Sequence, residues 1–217
     1  MRCHSNDNQL RVFQGWRSTA SRGGSKSAAH SCQMRETHLN STRPMSDHGQ
    51  SMDTTSLDEH RRARLITLIE RAFADVEAPG DDALVDDNNR SSVEYATVRD
   101  KFSGLHWRGV SPDLMRDASS DLTFMTPEAF RFFLPAHMIA TLRHEDRFRS
   151  LHADLVDDLT MRPDGRDRFV SRFALMNQKQ TKAIVEYLHY TAARYSEDLR
   201  GDVELALSSY WTEASRR

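Results

Sequence analysis

The stretch FRFFLPAHMIATLRH, residues 130–144, indicates the fold class, because its apolar residues follow a helical period on both sides of a proline. Six positions share one helical stripe and predict a buried helix: Phe130, Phe133, Leu134, His137, Met138 and Leu142. Pro135 has no N–H, so the carbonyl of Arg131 loses its helical partner at a cost of about 3 kcal/mol. We therefore predict two helical pieces, 127–134 and 135–144, with Pro135 as first residue of the second.

His137 lies on the inward face beside this predicted break, where its ring can donate to a carbonyl that the break exposes. We favour this structural role over a ligand-binding or catalytic one. His137 and His144 are about 10 Å apart along a helix axis, too far for one metal ion to bridge. The chain also has no H-E-x-x-H or C-x-x-C pattern, so we predict no metal site and no cofactor.

The flanking segments are also helical in pattern. Thr126 and Pro127 form a helix start, and Asn177 with Gln180 predicts a capping box for a later helix. The segment SGLHWRGVSPDL is predicted to be a turn-rich connection that holds Trp107, and SSDLTF a short extended piece. These patterns together predict an all-α, compact single domain of six or seven helices over residues 53–217, with one helix broken at Pro135.

Residues 1–52 differ from the rest, since they are rich in Ser, Arg, Asn, Gln and His and poor in apolar residues. They hold seven Lys or Arg against three Asp or Glu, and we predict a disordered tail. An organelle transit peptide is a weaker alternative; the sequence favours a true start at Met45 or Met52 over Met1. Both cysteines, Cys3 and Cys32, lie in this tail, so neither a disulfide framework nor a cysteine-based zinc site is predicted.

The composition is that of a globular protein, with 38% hydrophobic and 29% charged residues and a net charge of −2. No window approaches the roughly 18 apolar residues of a membrane span, and no signal peptide is expected. Residues 53–217 hold 23 Lys or Arg against 29 Asp or Glu, which makes nucleic acid an unlikely partner. We predict a cytoplasmic protein without membrane association.

Motifs of catalysis are missing from the sequence, which has no G-x-S-x-G and no G-x-G-x-x-G pattern. The segment SRGGSKS at 21–27 lacks the spacing of a phosphate-binding loop. The basic run EHRRAR at 59–64 is interpreted as the solvated face of the first helix. The acidic run DDALVDD at 81–87 is interpreted as a solvated loop that could attract a cation or a basic partner. No catalytic residue is predicted.

Four segments in order, RLITLIERAF, KFSGLHW, LTFMTPEAFRFFLPAHMIATL and NQKQTKAIVEYL, carry a resemblance to a known family. The chain resembles a family of small uncharacterised bacterial proteins, a domain of unknown function with a TPEAFRxxLPA-type block. The resemblance spans residues 60–195 and implies a shared fold and a bacterial, cytoplasmic setting. His137 stands where the family pattern leads us to expect an aromatic or aliphatic residue. The resemblance implies no activity.

Four residues are predicted to bind a ligand or partner: Arg131, Trp107, Glu128 and His137. Glu128 and Arg131 are one helical turn apart and can form a surface pair, or Arg131 can hold a carboxylate in a groove beside Pro135. The favoured function is a non-enzymatic module that binds another protein. The alternative is a hydrolase-like enzyme with a cleft at the helix break that uses Glu128, Arg131, His106 or His137. A third hypothesis is nucleic-acid binding by the basic tail.

Overall fold

The computed structural model describes residues 51–85, 92–118, 121–145, 147–195 and 197–216, and in these residues the chain is helical without a named strand. The predicted all-α class is confirmed. The helices are α1 (Ser51–Ala72), α2 (Val93–Phe102), α3 (Pro112–Asp117), α4 (Pro127–Arg143), α5 (Arg149–Asp158), α6 (Arg166–Phe173), α7 (Gln178–Arg194) and α8 (Glu197–Ala206). A π-helical segment, Leu207–Trp211, and a last turn, Thr212–Ala214, continue α8.

Helix α4 forms the centre of the fold, and every residue from Phe132 to Leu142 is buried. A helix that is apolar on all sides can be stable only when neighbours cover it. Helices α1, α3, α5 and α6 pack around α4, while α7 packs against α1 and α8. None of the described helices combines the length and apolarity needed to cross a bilayer.

The predicted break at Pro135 is wrong, because α4 runs without interruption through the proline. Pro135 removes one backbone hydrogen bond at a cost of about 3 kcal/mol. Each large apolar side chain buried on α4 contributes about 1.5–3 kcal/mol, and Phe133, Leu134 and Met138 are all at most 1% exposed. Packing on both sides of the proline therefore outweighs the lost hydrogen bond and keeps the helix continuous.

The described part of the chain contains eight helices against a predicted six or seven. The two predicted pieces of α4 form one helix, and two short helices, α3 and α6, were not predicted. In α3, Ser111 Oγ accepts from the Leu114 N–H at 3.2 Å and Pro112 occupies the first turn. In α6, Phe169 and Phe173 lie four residues apart and are both buried. The predicted extended piece is instead a 3₁₀ turn, Asp121–Phe124.

Both predicted helix starts are confirmed. Thr126 Oγ1 accepts from the Ala129 N–H at 3.1 Å at the beginning of α4. At α7, the side chains and backbone N–H groups of Asn177 and Gln180 bond reciprocally. Each cap satisfies backbone donors that no residue inside the helix can pair.

Helix α1 begins at Ser51, so the last two residues of the predicted tail belong to this helix. The predicted disorder and the alternative starts at Met1 and Met45 concern residues 1–50, which lie outside the described residues. The described chain therefore begins just before the predicted domain boundary.

Trp211 closes the core at the carboxyl end of the chain. Its side chain is fully buried, and its Nε1–H donates to the carbonyl of Leu159 at 2.7 Å. Its ring meets that of Phe173 edge to face at 4.8 Å between centroids. The indole thereby joins the end of α5 to the π-helical segment.

Replacing Trp211 with phenylalanine is expected to lower the free energy of unfolding by about 1–3 kcal/mol, because the Leu159 carbonyl loses its buried donor. Urea unfolding followed by circular dichroism measures the loss. The matched control is Tyr210→Phe, which removes a hydroxyl from the neighbouring, partly exposed ring and is expected to change stability by about 0.5 kcal/mol or less. Equal losses in the two variants would contradict a role for the indole hydrogen bond.

Candidate functional site

Arg131 and Glu128 lie near the start of α4 but do not pair with each other. Glu128 is exposed, whereas Arg131 is half-buried and its Nε donates to Gln180 Oε1 at 3.1 Å. The same oxygen accepts from the Asn177 N–H at 3.1 Å as part of the α7 capping box. Arg131 therefore links α4 to the beginning of α7.

His137 is fully buried in the interior, and its Nδ1 lies 3.1 Å from the carbonyl oxygen of Phe133, one turn earlier. The ring thus bonds the carbonyl of Phe133 and not one exposed by a break at Pro135, which α4 does not have. Its Nε2 has no hydrogen-bond partner among the described residues. Burial lowers the pKa of His137, which favours the neutral ring.

Trp107 lies in a short 3₁₀ turn, Trp107–Gly109, and is 3% exposed. His106 caps this turn, since its Nδ1 accepts from the Arg108 N–H at 3.1 Å. The guanidinium carbon of Arg108 lies 4.2 Å from the centroid of the Trp107 ring, a cation–π distance. The Nε1–H of Trp107 is buried and has no acceptor in the described part of the chain.

The structure does not bring the predicted residues together at one cleft. A cavity does lie beside the second half of α4, and we name it the Trp107 cavity. Its volume is about 340 Å³, and it is lined by Glu70, Trp107, Arg108, Val110, Pro112, Met115, Ala136, Ile139, Ala140, Arg143 and His144. Glu128, Arg131, His106 and His137 do not line it. The assignment of Arg131, Trp107, Glu128 and His137 as binding residues stays a prediction.

A larger concave surface runs between α1 and α7, and we name it the α1–α7 groove. It encloses about 890 Å³. Its apolar lining consists of Ala63, Leu65, Leu68, Tyr190 and Ala193. Its charged residues are Asp58, Arg61, Arg64, Arg71, Lys182, Glu186 and Arg194, and Thr67, His60 and His189 complete the lining.

The two helices of this groove run antiparallel. Arg194, at the end of α7, places its Nε 3.6 Å from Oδ2 of Asp58, near the beginning of α1. Arg71 and Lys182 lie at the opposite end of the lining. With a rise of 1.5 Å per residue, the stretch from Asp58 to Arg71 gives the groove a length of about 20 Å.

The groove carries an excess of positive charge, with five Lys or Arg side chains against two carboxylates. Arg194 is engaged, since it pairs with Asp58 and with Glu145 at 3.1 Å. The other four cations form no ion pair with any described residue: Arg61, Arg64, Arg71 and Lys182. These four charges are therefore available to an incoming anion.

Glu145 holds the Asp58 end of the groove in place. Its side chain is 10% exposed and accepts from the Tyr190 hydroxyl at 2.7 Å and from Arg194 Nε at 3.1 Å. Arg62 lies 3.8 Å from the same carboxylate. Burial and the neighbouring Glu145 charge raise the pKa of Tyr190, so this hydroxyl stays a donor. Asp58, Arg194 and Tyr190 of the groove are thus tied into one network with Glu145.

Two buried polar clusters lie away from the groove. Asp158 and Arg172 form an ion pair at 3.4 Å between α5 and α6, and Thr123 Oγ1 donates to Asp158 at 3.0 Å. On the other side of α5, His152 lies between Thr191 and Tyr195. No group of three or more His, Cys, Asp or Glu side chains in the described ranges is arranged to hold a metal ion.

The α1–α7 groove was not predicted from the sequence, although one signal was present. Arg61, Arg64 and Arg71 are spaced by three and seven residues, which places them on the same helical face as Leu65 and Leu68. The run EHRRAR was interpreted as a solvated surface. No local pattern indicated that Lys182 would face it from α7.

Comparison with known proteins supports the predicted resemblance at the level of the family. No curated protein and no solved structure matches the chain significantly. The family model of DUF6714, described as a family of unknown function, matches residues 61–215. This range includes α2 to α8 and most of α1. The chain therefore belongs to DUF6714, a family of unknown function.

Proposed function

We propose that the protein is a non-enzymatic interaction module and that its α1–α7 groove docks an acidic, amphipathic helix of a partner protein. The observation that carries this proposal is the set of four unpaired cations that share a groove with an apolar lining. Apolar side chains of a docked helix would cover Leu68, Ala63 and Ala193, and its carboxylates would meet the flanking cations. The proposed setting, a bacterial cytoplasm, rests on the sequence resemblance.

The dimensions of the groove suit a helix. A length of about 20 Å accommodates about 13 helical residues, or three to four turns. Such a helix presents apolar anchors at positions i, i+3, i+4 and i+7, which form a single stripe. The two antiparallel walls provide the complementary channel for that stripe.

The positive charge of the groove favours an acidic partner. The groove is positive, while residues 53–217 as a whole carry 29 acidic against 23 basic side chains. An extended nucleic acid would be repelled by the net negative charge outside the groove. Its phosphates also form no favourable contact with the apolar lining. Residues 1–52 carry an excess of four positive charges, so charge complementarity does not favour them as the occupant.

The test uses the full chain and a synthetic, fluorescein-labelled helix of 15 residues with leucine on one face and glutamate on the other. Fluorescence anisotropy is expected to show saturable binding that weakens as salt rises. The double variant Arg64→Glu with Lys182→Glu is expected to weaken binding at least tenfold, since it places like charges opposite the probe. Both residues are exposed, so the fold should tolerate the change.

The control is the same kind of charge reversal at a residue outside the groove. Arg149 is exposed at the beginning of α5, outside the groove, and Arg149→Glu is expected to leave the affinity unchanged. Failure of the acidic helix to bind would overturn the proposal. So would equal binding by the double variant, or tighter binding of a lysine-substituted helix or of duplex DNA.

A further inference from the structure

We propose that the Trp107 cavity is a second, separate binding site, and that it takes a small carboxylate with an apolar body. This site does not depend on the α1–α7 groove, because its walls come from α3, α4 and the Trp107 turn, with Glu70 of α1 at the edge. Trp107, one of the predicted binding residues, lines this cavity.

The interior of the cavity is apolar. Ala136, Ile139 and Ala140 form its α4 wall, and each keeps 6–9% exposure, whereas Phe133, Leu134 and Met138 of the same helix are at most 1% exposed. Met115, Val110 and Pro112 supply the facing side. A volume of about 340 Å³ lies at the small end of the usual range for ligand sites, which favours a compact apolar body.

The polar groups of the cavity favour an anion. Arg143 is balanced by Glu70, whose Oε1 lies 3.2 Å from Nη2 of the arginine. Arg108 stacks on Trp107 and has no carboxylate partner among the described residues. The Arg108 guanidinium therefore remains unpaired, and its planar N–H donors can bind a carboxylate in bidentate geometry.

Trp107 lies in the same wall, with the Arg108 guanidinium stacked on its ring. The residue is only 3% exposed, and its Nε1–H is buried without an acceptor in the described part of the chain. Because this N–H is closed off from the open volume, a ligand in the cavity meets the apolar part of Trp107 and the exposed Arg108 guanidinium. A carboxylate is an acceptor without donors, which matches the guanidinium.

The experiment compares three probes of one shape on the full chain by isothermal titration calorimetry: 3-phenylpropionate, 3-phenylpropanamide and 3-phenylpropylamine. The carboxylate is expected to bind with a Kd of about 1 mM, and the amide and amine at least tenfold more weakly. Arg108→Gln is expected to reduce carboxylate binding at least tenfold. Arg149→Gln, which removes an exposed arginine elsewhere, is expected to leave it unchanged.

A second variant fills the cavity. Ala140→Leu adds a side chain to the α4 wall and is expected to abolish binding, with circular dichroism confirming that the helical fold remains. Absence of carboxylate binding, equal affinity of the three probes, or undiminished binding in both variants would overturn the inference. The groove variant Arg64→Glu with Lys182→Glu is expected to keep full carboxylate affinity, so the two proposals fail or succeed separately.

Discussion

Replacing Arg172 with methionine is expected to lower the free energy of unfolding by about 3–5 kcal/mol at pH 7, because the buried Asp158 carboxyl loses its compensating charge and must either stay unpaired or take up a proton. The side chains of Arg172 and Asp158 are only 8% and 11% exposed. Arg172 also donates to the Thr123 carbonyl at 3.2 Å and lies over the Phe130 ring at 4.3 Å. Urea unfolding at pH 7 measures the loss.

The loss is expected to shrink on acidification by about 1 kcal/mol or more between pH 7 and pH 5. Burial raises the pKa of Asp158 to about 6, in spite of Arg172 and the Thr123 hydroxyl, from an ordinary value of 3.8. Removal of Arg172 raises this pKa further. The folded state then binds a proton more tightly than the unfolded state, so stability rises as pH falls towards 3.8.

Two controls separate the buried charge from lost packing. Arg162→Met breaks the exposed pair with Asp157 and is expected to cost about 1 kcal/mol or less. Adding Asp158→Val to Arg172→Met removes both charges and is expected to recover at least half of the lost stability. A double variant as unstable as Arg172→Met alone would show that packing, and not the unpaired carboxylate, causes the effect.

The contrast between α4 and its proline shows what local pattern can and cannot predict. The all-α class and the inward stripe of Phe130, Phe133 and Leu134 could be predicted, because helical periodicity is a property of neighbouring residues. The continuity of α4 through Pro135 could not be predicted in this way. It depends on the helices that cover α4, and these come from distant parts of the chain.

The same reasoning explains why the α1–α7 groove could not be predicted from the sequence. The positions of Arg61, Arg64 and Arg71 on one face of α1 follow from spacing alone. Their significance depends on α7, which lies more than a hundred residues further along the chain and brings Lys182 to the same groove. The hydrogen bond from Arg131 to Gln180 could not be predicted for the same reason, because Gln180 lies 49 residues further along the chain.

The titration of His152 is expected to remove about 2–3 kcal/mol of stability between pH 7.5 and pH 4.5. This histidine is fully buried, and desolvation lowers its pKa to about 4 from an ordinary value of 6.5. The unfolded state therefore binds the proton first as the pH falls. The resulting stabilisation is present above about pH 6.5 and is lost as the pH falls towards 4.

The hydrogen bonds around His152 fix its neutral form. The Thr191 hydroxyl donates to the Tyr187 carbonyl at 2.9 Å, so Nε2–H of His152 donates to Thr191 Oγ1 at 3.1 Å. Nδ1 then accepts from the Tyr195 hydroxyl at 3.2 Å. A second proton on the ring would occupy Nδ1, and the Tyr195 hydroxyl would then accept from it instead of donating, so desolvation remains the cause of the lowered pKa.

The measurement is the free energy of unfolding from urea titrations at several pH values, compared between the parent protein and His152→Gln. Asp158 titrates in both proteins, so its opposite contribution cancels in the difference, which is expected to isolate His152. The control Tyr195→Phe removes the Nδ1 partner but keeps the burial that lowers the pKa, so its profile should run parallel to that of the parent. A His152→Gln profile with the parent's slope would mean that this ring is accessible to protons in the folded state.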